Sequence, residues 1–201
     1  MKVGKRWRFA RDELARFSGG SREARSAAAP LEAGGVPDVS VASLVRAELV
    51  VSPLESTRRD AALEEMVRAL SQAGLLREER LFLKLLVERE ELMSTGIAQG
   101  VAVPHPRRAV PGMFEESRVA IGISGSGVDF GGAGGVPVRV LFMICASDDR
   151  AHLKILSMLS RLLRDTPVVE RILGASDPEE VVKVTAAQEE ALHRDAGLMA
   201  G

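Results

Sequence analysis

The chain has 201 residues, 46% of them apolar, and a formal net charge of −1 at pH 7. This length suits one full α/β domain with a short appendage, and the small net charge excludes a general attraction for nucleic acid, so any DNA affinity must come from a local patch. The single Cys145 excludes an internal disulfide and is expected to be a buried structural thiol. No segment approaches the roughly 18 uncharged apolar residues of a membrane span, so we expect a cytoplasmic protein without membrane insertion.

The first 38 residues divide into two zones. Residues 1–17 are basic, and their apolar side chains alternate around Gly4 as a small hairpin requires, before a short helix predicted at 11–17. Residues 18–38 are rich in Gly, Ser, Ala and Pro and lack apolar periodicity, so we expect a flexible linker. A main domain of continuous α/β pattern is predicted at 39–187, with a C-terminal tail at 188–201 expected to be a frayed helix.

Two amphipathic helices are predicted in the first half of the main domain. Thr57 with Asp60 resembles a capping box, apolar residues then follow at helical spacing, and Gly74 stands at the expected stop. Residues 81–86 carry apolar side chains at the same spacing and predict the second helix. It runs into the charged stretch 88–91.

Two strands follow. Residues 118–124 alternate, and residues 138–145 are nearly all apolar, which suits a central strand covered on both faces. The glycine-rich stretch 125–135 between them lacks the Gly-Lys-Ser/Thr ending of a nucleotide-binding loop, so we interpret it as a long hairpin connection.

The last third of the domain predicts helices. Ser147 and Asp148 can cap a helix start, which places His152 in the first turns of that helix. Residues 178–184 predict a closing helix with Pro178 near its first position.

Residues 89–107, REELMSTGIAQGVAVPHPR, carry most of the functional information. They place His105 directly after a glycine-punctuated loop and a short apolar strand, with arginines on both sides. Imidazole titrates near neutral pH and can act as a nucleophile, so it can carry a phosphoryl group for a short time. Without this context, a core or turn histidine between two prolines would be the simpler interpretation.

This segment resembles the phosphoacceptor segment of EIIA domains of the fructose/mannitol and nitrogen-regulatory type, which belong to the bacterial phosphoenolpyruvate-dependent sugar phosphotransferase system. The resemblance implies a mixed central β-sheet flanked by helices on both faces, with His105 as phosphoacceptor and Arg89 binding its phosphate. Pro106 stands where many members have glycine, and it cannot donate a backbone hydrogen bond. Arg107 and Arg108 could compensate electrostatically.

His152 opens a stretch, HLKILSML, similar to the family's second histidine segment, and the resemblance implies that it stabilises the phosphate or the acceptor ring. The alternative is a solvent-facing histidine at a helix start. Arg89 could instead make only solvated surface pairs. Ser94 and Thr95 either donate hydroxyls to phosphate or cap a turn. His193 lies in no motif, and no pair of residues has metal-ligand spacing, so we expect neither metal nor cofactor.

Residues 1–17 resemble the end of an excisionase/MerR-like helix-turn-helix domain, where such a segment forms the wing and the last helix. The recognition helix would precede Met1. A DNA partner is therefore expected only if a full helix-turn-helix lies upstream, and a basic disordered leader is the alternative.

The resemblance implies a phosphotransferase whose donor is a phosphorylated HPr/NPr-like carrier protein docking over an apolar rim around His105. We expect a regulatory, nitrogen-type output through a target protein. The alternatives are a fructose-type EIIA that relays phosphate to an EIIB sugar permease, and a phosphorylation-tuned DNA-binding regulator.

Overall fold

A computed structural model describes residues 40–97, 99–132, 135–164 and 167–198, together with residues 2–3 and 6–7. The chain divides into two compact units, Met1–Asp38 and Val39–Gly201. In the first unit, β1 (Lys2–Val3) pairs antiparallel with β2 (Arg6–Trp7), which agrees with the small hairpin predicted around Gly4. The helix predicted at 11–17 and the linker predicted at 18–38 lie outside the described residues.

The second unit is built on a five-stranded mixed sheet. Its strands are β3 (Val50–Val51), β4 (Gly96–Ile97), β5 (Val101–Ala102), β6 (Arg118–Val128) and β7 (Val138–Cys145), in the order β3-β6-β7-β5-β4. The pairs β3–β6 and β5–β7 are parallel, whereas β6–β7 and β4–β5 are antiparallel. The central position predicted for residues 138–145 is confirmed, with β7 between β6 and β5.

Helices cover both faces of this sheet. They are α1 (Val41–Leu44), α2 (Arg59–Gln72), α3 (Glu79–Leu92), α4 (Asp149–Leu162), α5 (Pro167–Leu173) and α6 (Pro178–Leu198), with a 3₁₀ turn at Ala47–Leu49. Because side chains alternate along a strand, β7 contributes to two cores. Leu141 and Met143 pack with α2 and α3, whereas Phe142 and Ile144 pack with α4 and α5. The expected mixed sheet between two helical layers is confirmed.

No helix in the described part of the chain has the length and apolar character needed to cross a membrane.

The predicted capping box at Thr57 is wrong. Helix α2 begins at Arg59, and its N-cap Arg58 makes no side-chain capping bond. The backbone of Asp129, just after β6, takes that part: Arg59 N donates to Asp129 O at 3.2 Å, and Asp129 N donates to Thr57 O at 2.8 Å. A tertiary contact, and not a local side chain, therefore pairs a backbone N–H group at the start of α2.

The glycine-rich stretch is partly strand. Strand β6 continues to Val128, beyond the predicted end at residue 124, with a register shift between Ile123 and Val128. The hairpin connection predicted at 125–135 therefore starts later, after β6. Gly127 has φ +81°, and a Cβ there would lie 2.7 Å from Cβ of Pro137, so close packing across the hairpin requires glycine.

The closing helix is longer than predicted. Helix α6 runs from Pro178 to Leu198, so the predicted boundary at residue 187 falls inside it. The buried carboxylate of Glu189 accepts hydrogen bonds from Ser40 Oγ at 2.7 Å, Val41 N at 2.8 Å and Ala42 N at 2.9 Å. This contact joins α6 at residue 189, just past the predicted domain boundary, to the start of α1.

Candidate active site

His105 lies in the extended segment that follows β5. Pro104 O accepts a hydrogen bond from Ile144 N of β7 at 2.9 Å, which anchors the backbone beside the sheet. The His105 ring is 8% exposed, and its Nδ1 lies 2.7 Å from Val103 O. A carbonyl can only accept, so Nδ1 carries the proton and Nε2 keeps the lone pair. The backbone thereby selects the tautomer with Nε2 as nucleophile.

His152 lies against His105, although 47 residues separate them in the chain. Their ring centroids are 5.2 Å apart, with 64° between the planes. Helix α4 positions His152, and its N-cap Asp148 accepts from Ala151 N at 2.8 Å. The His152 side chain is buried, and its Nδ1 has no hydrogen-bond partner among the described residues. The solvent-facing alternative is therefore wrong.

Arg89 completes the predicted group. It lies in the last turn of α3, and its Nη1 donates to Met93 O at 2.6 Å. Its positive charge helps to lower the pKa of His105. The structure thus brings the His105 and His152 rings into contact and places Arg89 near enough for its charge to act on His105. These are the three residues that the resemblance singled out.

Both rings are held in the neutral form. Burial lowers the pKa of His105 below 6.5, the charges of Arg89 and His152 lower it further, and the bond to Val103 O acts in the opposite direction. Burial also lowers the pKa of His152, against the attraction of Asp149. A neutral acceptor ring at pH 7 has its lone pair available for attack on phosphorus.

The hydroxyls of Ser94 and Thr95 are used inside the turn that follows α3. Ser94 Oγ donates to Phe130 O at 2.8 Å and accepts from Gly96 N at 3.1 Å. Thr95 Oγ1 donates to Glu90 Oε1 at 2.5 Å. Of the two roles left open for these hydroxyls, this geometry agrees with the turn-capping role.

Glu90 is the residue that sequence reasoning missed. It belongs to the charged stretch 88–91, yet it is 2% exposed, and its Oε2 also accepts from Thr95 N at 2.8 Å. Burial raises its pKa, while the bonds from Thr95 act in the opposite direction. A signal was present: Phe82, Leu86 and Glu90 share one helical face at spacings of four, so Glu90 continues an apolar stripe.

Arg107 and Arg108 follow His105 and Pro106 along the chain. They line a groove with Leu85, Glu88 and the backbone of 106–110. Both are exposed, and neither guanidinium makes an ion pair or hydrogen bond with a residue that the structure describes. The charges that shift the His105 pKa are those of Arg89 and His152, so electrostatic compensation for Pro106 remains a prediction.

Exposed apolar side chains adjoin the site residues along the chain. Leu92 and Met93 follow Arg89, Ile97 lies in the segment leading to His105, and Leu153 follows His152. We call these four residues the apolar rim. Contiguous exposed apolar surface commonly marks a protein-binding site, so these four side chains are candidates for one.

The site shows no metal-binding arrangement in the part of the chain that the structure describes, where no group of three or more His, Cys, Asp or Glu side chains could hold an ion.

Comparisons with known proteins show the family to which the chain is similar. Residues 43–187 match the family described as "Phosphoenolpyruvate-dependent sugar phosphotransferase system, EIIA 2". The chain is 31% identical to the "PTS system fructose-specific EIIA component" of Haloferax volcanii, with 75% of this chain and 96% of the relative covered. It is 29% identical to the "PTS system fructose-specific EIIABC component" of Bacillus subtilis over 73% of this chain, but spans only 23% of that relative.

A solved structure shows the same fold. The crystal structure of "Nitrogen Regulatory Protein IIA-Ntr from Neisseria meningitidis" superposes with a TM-score of 0.62 at 25% identity, covering 72% of this chain and 98% of that one.

Proposed function

Because the chain belongs to the EIIA 2 family of the phosphoenolpyruvate-dependent sugar phosphotransferase system and is thus a phosphotransferase component, we propose that His105 accepts the phosphoryl group on Nε2. One observation carries this proposal. The bond from Nδ1 to Val103 O leaves Nε2 with its lone pair, next to the imidazole of His152 and within the field of Arg89. The site therefore combines a nucleophile with groups that can stabilise phosphate charge.

The proposed transfer is an in-line displacement at phosphorus. The donor is a carrier protein, HPr/NPr-like, phosphorylated on its own histidine. The bond from phosphorus to Nε2 of His105 forms while the bond from phosphorus to the donor nitrogen breaks, and that electron pair returns to the donor ring. The Nδ1 proton stays on the bond to Val103 O. Arg89 and His152 stabilise the charge on the equatorial oxygens, so the protein acts by positioning and electrostatics.

The apolar rim is the proposed docking surface for the carrier. Leu92, Met93 and Leu153 are exposed next to Arg89 and His152, so a protein that covers them would place its own phosphohistidine over His105. Covering the rim would also exclude water, which protects the phosphoryl group from hydrolysis.

The output of the phosphorylated form is proposed as regulatory, through a target protein whose binding depends on His105 phosphorylation. Relay to an EIIB sugar permease is the second candidate, and the similarity to fructose-specific components favours it. Transfer from phosphorylated protein to a purified EIIB domain separates the two. The family match begins at residue 43 and lends no support to a DNA-binding remnant at 1–17.

Phosphorylation in vitro tests the acceptor. Incubation with phosphoenolpyruvate, enzyme I and a histidine carrier should add one acid-labile phosphate, detected by intact mass. His105→Ala should abolish it, and His152→Ala should slow it by about 100-fold, the usual cost of removing one group that stabilises transition-state charge. His193→Ala, at an exposed position on α6, is the matched control and should behave like the native chain.

An undiminished mass shift in the His105→Ala protein would refute the acceptor assignment.

A further inference from the structure

We propose that Glu90 is a positioning residue, whose buried carboxylate fixes the turn at residues 93–95 and thereby holds Arg89 at the His105 site. This inference rests on the proposed function for the meaning of the site, but its geometry stands by itself. Within the described part of the chain, the hydrogen bonds of the Glu90 carboxylate go to Thr95 and not to a histidine ring, so Glu90 acts through Thr95 and the turn.

Both carboxylate oxygens of Glu90 accept hydrogen bonds from Thr95. Oε1 accepts from the Thr95 hydroxyl at 2.5 Å, and Oε2 accepts from the Thr95 backbone N–H at 2.8 Å. With 2% of the residue exposed, water does not compete effectively for these bonds. A carboxylate that accepts two hydrogen bonds in a buried place is a strong local constraint, because leaving it unpaired costs more than an ordinary hydrogen bond is worth.

The other side of the turn is fixed by the glycine-rich connection. Ser94 Oγ donates to Phe130 O, and a Cβ on Gly132 would lie 2.8 Å from Gly96 O. The turn is therefore held between α3 and the connection after β6. Its conformation cannot change at residue 95 without breaking contacts on one of these two sides.

This turn sets the position of Arg89. The Met93 carbonyl, one residue before Ser94, accepts from Arg89 Nη1 at 2.6 Å. That bond uses one of the five guanidinium N–H groups and leaves the others for an anion. Because the peptide plane between residues 93 and 94 is part of the turn, release of Thr95 would free the Met93 carbonyl and with it Arg89.

Two routes from Glu90 to His105 predict opposite effects. The charges that act on the His105 pKa come from Arg89 on α3 and His152 on α4, and both lower it. If Glu90 acts by holding Arg89, its loss lets the cation move away, and the His105 pKa rises. If the carboxylate acted directly as a negative charge, its loss would lower the pKa instead.

The experiment measures the His105 imidazole pKa by NMR titration of the full chain, so no carrier protein is needed. In Glu90→Gln and Thr95→Val the pKa should rise toward the value in Arg89→Gln. Thr95→Ser retains the hydroxyl and the N–H and should titrate like the native chain. Glu91→Gln removes the same charge from the exposed neighbouring position and should leave the pKa unchanged or slightly lowered.

A double variant tests the route. In the Arg89→Gln background, Glu90→Gln should cause no further shift, because the cation it positions is gone. An unchanged or lowered pKa in both Glu90→Gln and Thr95→Val, or an equal shift in the Arg89→Gln background, would overturn the proposal. If the chain fails to accept phosphate, the proposed function is refuted, but the effect of Glu90 on the His105 pKa is not. The two proposals can therefore fail separately.

Discussion

The two nitrogens of His105 have separate tasks. Nδ1 is fixed by Val103 O, only two residues away, so the tautomer is set by local backbone geometry after β5. Nε2 is left for chemistry, and burial of the ring keeps it unprotonated. Burial and a nearby arginine disfavour protonation of an imidazole ring. An imidazole that stays neutral near pH 7 is suited to act as a nucleophile.

These depressed values predict a pH dependence of stability. In the folded state the pKa values of His105 and His152 lie below their ordinary value of 6.5, so the unfolded chain binds more protons between pH 6.5 and the folded values. The free energy of unfolding should therefore lose this contribution as the pH falls from about 6.5 through the folded pKa values. In a His105→Gln/His152→Gln variant, the free energy of unfolding should fall less between pH 7.5 and pH 5.5 than it does in the native chain. Urea denaturation at the two pH values measures this difference.

An equal fall in the free energy of unfolding for the native chain and this variant would contradict the prediction. It would mean that each ring has the same pKa in the folded and the unfolded state.

At the scale of the elements, α6 and α1 hold each other through one carboxylate. Glu189 accepts from two backbone N–H groups at the start of α1, whose four residues could not form a stable helix alone. The Ser40 hydroxyl accepts from Ser43 N as the local cap and donates to Glu189. Residues that are 149 apart in the chain thus share one capping arrangement.

Removing this carboxylate should destabilise the fold. Glu189→Ala leaves buried N–H groups of α1 without an acceptor and should cost about 1–3 kcal/mol in free energy of unfolding. Glu190→Ala is the matched control, since Glu190 is exposed and, among the residues that the structure describes, makes only a 3.7 Å ion pair with Arg194 on the same helix. Thermal and urea denaturation measure both. Equal small losses would mean that Glu189 contributes no more than a surface residue.

At the scale of the whole molecule, the net charge of −1 conceals an uneven distribution beside the site. Arg107 and Arg108 are exposed and lack ion-pair partners among the described residues, and they follow His105 and Pro106 in the chain. A phosphorylated donor brings negative charge to His105. Unpaired guanidinium groups nearby therefore favour the encounter electrostatically.

Reversing these two charges should slow phosphate uptake. Arg107→Glu/Arg108→Glu should reduce the rate from a phosphorylated carrier by roughly 10-fold at low salt, and the difference should shrink as salt screens the field. Arg46→Glu/Arg194→Glu makes the same change in net charge on α6 and before the 3₁₀ turn, and should leave the rate near the native value. A rate loss that is equal at low and high salt would contradict steering.

Local patterns predicted much of the molecule. The apolar run 138–145 became β7 with the predicted bounds because a strand buried on both faces reads as a nearly continuous apolar run, and only Arg139 near its start is exposed. The helix start at Asp148 was correct because a side-chain cap acts within three residues. Residues 89–107 and the His152 stretch identified the imidazoles and Arg89 by resemblance, and the folded chain brings them together.

What the chain alone determined is the set of candidate site residues and the main elements, because periodicity, capping and a short motif are encoded between near neighbours. Tertiary structure alone decided which polar groups are buried and with whom they pair. The backbone carbonyl of Asp129 accepts from the first residue of α2, and Glu90 accepts from the turn beside Arg89. Glu189 caps the start of α1. The side chains of Glu90 and Glu189 look like surface groups in the sequence, yet both are buried. Asp129 and Glu189 also have partners in distant segments, which only folding brings into contact.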